Sequence, residues 1–195
     1  MEQIKLKNEA DRSEEKAMQI DNHFMELAYT QIGAADKNDG LPIGAILVWN
    51  NEIIGYGSNQ AEKLADPTQH AEMQAIRNGI AVLREKATGD MPPKKAIKKF
   101  LKRATIYATM EPCPMCAGTI MMMRIRRVVI SLNDPKWGAL GSVGELENFP
   151  HTIQVDYSDH PDCCQLRDMP LRDPETKSFI WDLGKKNFLK HGSLK

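Results

Sequence analysis

His70-Ala71-Glu72 and Pro112-Cys113-Pro114-Met115-Cys116 are separated by dozens of residues, yet their side chains belong at one metal ion. One imidazole and two thiolates suit a tetrahedral Zn²⁺. Cys113 and Cys116 are three apart, so on a helix they share a face and can grip a single ion. The positive end of a helix lowers a thiol pKa and favours the thiolates that zinc requires. A fold that satisfies the pattern must therefore bring two helix N-termini together. Three protein ligands leave a fourth position open for water, which marks a catalytic ion and not a structural one. A closed four-ligand site would need another donor, and the remaining cysteines, Cys163-Cys164, are poor candidates. The expectation is one Zn²⁺ per chain on His70, Cys113 and Cys116, with Glu72 unligated and free to shuttle protons.

The rest of the chain is that of an ordinary globular protein. Its 195 residues suit one domain with a real core. Lys+Arg and Asp+Glu both number 26, so global charge argues for neither nucleic acid nor membrane, and any basic footprint must be local. No apolar run approaches the roughly 18 residues that span a bilayer. The charged stretch from Met1 to Lys16 lacks the apolar core of a signal peptide. No membrane association and a cytoplasmic location are expected. Four cysteines do not make a disulfide framework. For the vicinal Cys163-Cys164 pair the ordinary reading is a half-buried thiol beside a surface thiol, against a redox switch or second metal site.

Residues 1–20 read as a charged N-terminal arm, disordered or a frayed helix. Phe24, Leu27, Ala28, Gln31 and Ile32 follow a helical period, predicting a first helix over about 21–35. Ile43–Trp49 and Glu52–Gly57 read as strands of a hairpin turning at Asn50-Asn51. Asp66-Pro67 predicts a helix start, with His70 and Glu72 in the opening turns and an apolar stripe of Met73, Ile76, Ile80 and Leu83. Lys94, Lys95, Lys98, Lys99, Lys102 and Arg103 interleave with Ala96, Ile97, Phe100 and Leu101, a basic amphipathic helix pattern. Such a segment tracks phosphates or simply forms a solvated face. Thr105–Ala108, Arg127–Ser131 and Ile153–Asp156 read as further strands. A second helix starts beside Cys113 between Pro112 and Pro114 and runs to about Met123. Alternating helices and strands predict an α/β layered domain. Its expected extent is 21–158, with a basic insertion at about 86–104 and a C-terminal extension, 159–195, packing on the body.

A His-x-Glu followed by Pro-Cys-x-x-Cys is the signature of zinc-dependent base deaminases. The chain resembles the cytidine deaminase-like superfamily, and within it most closely the bacterial tRNA adenosine deaminase branch. The resemblance is carried by Leu41-Pro42-Ile43-Gly44-Ala45, Asn59, Asp66 through Glu72, Thr109 through Gly118, and Asp134-Pro135-Lys136-Trp137-Gly138-Ala139-Leu140-Gly141-Ser142. It implies a three-layer α/β/α fold around a five-stranded mixed sheet, and a homodimer. It places zinc on His70, Cys113 and Cys116 and proton shuttling on Glu72. It also implies that Asn59 hydrogen-bonds the base or ribose and that the Ala71 N–H contacts the substrate. Three stretches depart from that branch: the basic connection, the Met121-Met122-Met123 run, and the chain from about 159.

The function expected is hydrolytic replacement of a ring amino group by a carbonyl, with ammonia released, on adenosine in tRNA to give inosine. The alternatives are a small-molecule deaminase of guanine, cytosine, adenine or a related purine or pyrimidine, and a zinc-stabilised nucleic-acid-binding or partner subunit without turnover. The intact Glu72 speaks against the last.

Overall fold

The structure, a computed structural model, describes residues 9–32, 41–87, 92–143 and 153–158. Cys163, Cys164 and the expected C-terminal extension lie outside the described residues. The elements are α1 (Glu9–Thr30), β1 (Gly44–Trp49), β2 (Glu52–Ser58), α2 (Ala71–Lys86), α3 (Pro93–Leu101), β3 (Ala104–Met110), α4 (Pro114–Met123), β4 (Arg127–Leu132) and β5 (Gln154–Tyr157).

The strands form a five-stranded sheet in the order β2-β1-β3-β4-β5. β1 is antiparallel to both β2 and β3, whereas β3, β4 and β5 run parallel, so the sheet is mixed as expected. The β1–β2 hairpin turns on Asn50 and Asn51, both in the left-handed region (φ 51 and 61) that a two-residue turn matching strand twist requires.

Both faces of the sheet are covered, and side-chain parity decides which residue faces which layer. Ala45 and Leu47 of β1 join Ile106, Ala108, Val128 and Ile130 in one core, closed by Ile76 and Leu83 of α2, Leu101 of α3 and Ile120 of α4. Ile46 and Val48, one residue out of phase, join Tyr107 and Val129 in a second core under Phe24, Met25 and Ala28 of α1. The result is the α/β/α sandwich. α1 is also tied to the sheet by charge. Arg127 of β4 donates to both Asp21 carboxylate oxygens (2.8 and 2.6 Å) and to Asp156 of β5 (2.7 Å), while the Tyr107 hydroxyl donates to Asp21 (2.8 Å).

Two helix boundaries differ from the sequence expectation. α1 begins at Glu9 and ends at Thr30 instead of covering 21–35. From Ser13 to Ile20 its described side chains are exposed, Met18 and Ile20 among them, so burial periodicity carries no signal there. α2 begins at Ala71 and not near Asp66-Pro67. The Asp66 carboxylate instead closes a turn, accepting from the Thr68 N–H and hydroxyl and from Gln69 Nε2. Among the described residues no helix is long and apolar enough to cross a membrane.

α2 lies unusually close to β2. A Cβ at Gly57 would meet backbone atoms of Ala71 and Ala75, and one at Gly55 would meet those of Ala75 and Gly79. Glycine here serves close approach of two main chains, not a special dihedral.

Candidate metal centre

His70 is the N-cap of α2 and Cys113 the N-cap of α4, with Pro114 at the first helical position. The two helix starts meet at one end of the sheet, where β3 finishes at Met110. The Gln60 N–H donates to Gln69 O (2.9 Å), which binds the residue before His70 to the exit of β2. α4 stops at Arg124, whose left-handed backbone (φ 65) turns the chain into β4.

His70 Nδ1 lies 3.5 Å from Cys113 Sγ and 3.6 Å from Cys116 Sγ. The three donor atoms all lie within 4.8 Å of one another. Zinc bond lengths of about 2.3 Å to sulfur and 2.0–2.1 Å to nitrogen, set at a tetrahedral angle, put N and S about 3.5–3.6 Å apart. The donor set and its spacing therefore fit zinc. The Cys113 thiol is pushed down to about 4 by the hydrogen bond from Cys116 and by His70. Cys116 goes up, because it donates to Cys113 and is buried. His70 is raised by its bond to Cys113. Such a pocket of imidazole, thiolate and thiol exchanges protons for a divalent cation when it binds one.

Glu72, in the first turn of α2, is 4% exposed and sits against these donors without belonging to the trio. Burial pushes its carboxyl up to about 7, and the Cys113 thiolate adds to the rise. A carboxyl group poised near neutrality both takes and gives protons at physiological pH.

Asn59 is buried beside the same strand end, its amide donating to Leu41 O (3.1 Å) and its N–H to Ile43 O (2.9 Å). Ala71 is buried against β2 and opens α2. The structure thus gathers His70, Glu72, Cys113 and Cys116, with Ala71 between the first two and Asn59 on the adjoining strand exit.

Sequence reasoning gave no role to Glu111. Buried at the end of β3, it accepts from the N–H groups of Asp134 (3.0 Å), Leu140 (3.0 Å) and Ser142 (3.1 Å) and from the Ser142 hydroxyl. The Ala139 N–H donates to Pro112 O (3.0 Å). The loop from Asp134 to Ser142 is therefore wrapped around the residue two places before Cys113. The available signal was an acid directly following an apolar strand and a Gly- and Ser-containing run downstream.

Residues 18–132 match the family model for the cytidine and deoxycytidylate deaminase zinc-binding region. The tRNA-specific adenosine deaminase of Agrobacterium fabrum is 38% identical over 120 residues, 62% of this chain and 70% of the relative. That of Bacillus subtilis is 36% identical over 141 residues, 71% of this chain and 80% of the relative. A solved structure of a deaminase studied for A-to-I editing at the wobble position of tRNA superposes with a TM-score of 0.60 at 32% identity, covering 74% of this chain and 98% of its own. The diaminohydroxyphosphoribosylaminopyrimidine deaminase/reductase of Thermotoga maritima shares the fold, with a TM-score of 0.58 at 23% identity over 87% of this chain and 43% of its own. With three donors at zinc spacing and a match across most of the folded region, the chain belongs to the zinc-binding cytidine and deoxycytidylate deaminase family.

Proposed function

We propose that this chain converts adenosine to inosine at the wobble position of tRNA. The observation that carries the reading is a three-donor zinc site with a buried carboxylate, Glu72, against it but outside the donor trio. Bound on His70, Cys113 and Cys116, zinc supplies Lewis-acid activation of a water molecule. Glu72 takes a proton from that water as its oxygen adds to the ring carbon bearing the amino group, and passes it to the adjacent ring nitrogen. The second proton follows the same route to the exocyclic nitrogen, which leaves as ammonia while the ring keeps a carbonyl. The Ala71 N–H, one of the helix-start donors with no acceptor inside α2, binds the edge of the base in this reading. Asn59, held by its bond to Leu41 O, positions base or ribose.

The substrate assignment draws its support from relatives at a third or more identity that are tRNA-specific adenosine deaminases. A flipped adenosine in a loop is also accessible to a site at one end of the sheet without unwinding a duplex. We further read the working unit as a cytoplasmic homodimer. Met122, 66% exposed on α4, offers apolar surface that a second copy would cover. The decisive experiment is inosine formation in an anticodon stem-loop bearing a wobble adenosine. Glu72→Gln should retain zinc and lose turnover. Turnover equal to wild type in that variant would remove Glu72 from the chemistry, and ammonia release from free bases but not from the stem-loop would replace tRNA as substrate.

A further inference from the structure

We propose that α3 and the two residues after it form a second RNA-contacting surface, which grips the phosphate backbone of a bound tRNA about 20 Å from the nucleotide being converted. The inference rests on the tRNA reading above and adds a separate site to it. Lys94, Lys95, Lys98, Lys99, Lys102 and Arg103 fall within ten residues, and no Asp or Glu occurs between Met91 and Met110. In a chain of formal net charge +0 this is a marked separation of charge. None of the six is ion-paired among the described residues, where the neighbouring Lys86 takes Glu52 at 3.5 Å.

Packing fixes the direction of the charges. Leu101 and Ala96 are buried, Ile97 and Phe100 pack against the α2-side core, and the Phe100 ring meets Trp49 edge-on at 5.1 Å. With that side anchored, Lys94, Lys95, Lys99, Lys102 and Arg103 are exposed. The surface is therefore a rigid basic strip and not a set of lysines on a swinging loop. A strip of cations on a packed helix, with no acid paired to it among the described residues, suits the evenly charged backbone of a nucleic acid.

Topology sets its distance from the metal. α3 ends where β3 begins, and the seven residues of β3 run away from it toward the zinc end. At about 3.3 Å per residue the end of the strip that joins β3 stands roughly 20 Å from the zinc end of that strand. It cannot touch the nucleotide in the pocket, so it must meet phosphates elsewhere on the same RNA.

The test is binding of labelled full-length tRNA over a series of salt concentrations by wild type and by Lys95→Glu/Lys99→Glu/Lys102→Glu. The expected result is at least a tenfold rise in Kd and a salt slope lower by two to three units, at roughly 0.7–0.9 unit for each phosphate that the protein no longer neutralises. Inosine formation at saturating tRNA should keep its kcat, and zinc content should not change. The triple alanine variant at the same positions, which suits a helix, should show the same sign with a smaller effect. Unchanged Kd and salt slope in both variants would overturn the proposal and leave α3 a solvated face. Loss of inosine activity in wild type would strike the tRNA reading itself, whereas the binding series would still report on the strip.

Discussion

Gly57→Ala tests whether the metal centre is positioned by main-chain contact between α2 and β2. A Cβ there would lie 2.6 Å from Ala75 N and closer still to Ala71 O. Both obstacles are backbone, so no side-chain rotation relieves them. Restoring ordinary contact of about 3.5 Å to both atoms requires α2 to back away by roughly 1–1.5 Å. Overpacking of this kind costs about 1–3 kcal/mol, and a rigid obstacle belongs at the upper end. For a domain of this size about 3 kcal/mol lowers Tm by roughly 6–12 °C. The catalytic loss should be larger than the stability loss implies, because the displaced turn carries His70 and Glu72. A misplacement of about 1 Å near reacting groups costs on the order of a hundredfold in rate. Thermal melting and kcat/KM on the wobble stem-loop, measured well below Tm, read the two effects separately. A variant with wild-type Tm and wild-type kcat/KM would refute the close-contact argument. One with lowered Tm but full kcat/KM would show that α2 yields without moving His70.

Gly118→Ala should do the opposite. A Cβ at this interior position of α4 meets nothing within 4 Å, so alanine should stabilise by about 0.5–1 kcal/mol, read by urea denaturation. Glu111→Gln should destabilise by about 2–4 kcal/mol, because an amide cannot accept from all the donors that converge on the carboxylate, and at least one N–H faces another. Its Tm should fall, and zinc should dissociate faster as the Asp134–Ser142 loop loosens; an unchanged Tm would count against that loop's dependence on Glu111. Chelation should lower Tm and abolish turnover, with both restored by zinc. As pH falls, protons should compete with the metal for the Cys113 and Cys116 sulfurs and His70, so zinc retention measured against pH should decline on the acid side.

The sheet and the metal centre were largely legible because their signals are local. A short apolar run marks β1, the Asn50-Asn51 pair marks its turn into β2, and ligand chemistry marks His70, Cys113 and Cys116. What was hidden depends on partners distant in sequence. The Asp66 side chain has the same hydrogen-bonding repertoire in a helix cap as in a turn, and only its environment chooses the turn. The first turns of α1 show helix-favouring composition without an apolar stripe, so a reading built on periodicity starts the helix too late. Glu111 looks like one acid before a proline; its role exists only because a loop more than twenty residues downstream folds back over it. Thr109 is a similar case, its hydroxyl accepting from the Gly44 N–H across two strands (3.0 Å).

The separation of the ligands along the chain also sets an order of events in folding. His70 is 43 residues from Cys113, and the two are brought together only after β3 has found its place beside β1. A nascent chain that ends before Cys116 holds an incomplete donor set, and an unpaired β3 leaves the two helix starts apart. A complete donor set thus exists only once tertiary assembly has joined the two helix starts. A zinc ion held by His70, Cys113 and Cys116 would tie α2 to α4, so separating them would require its release, and the rate at which zinc leaves would become a clock for how long the native state lasts.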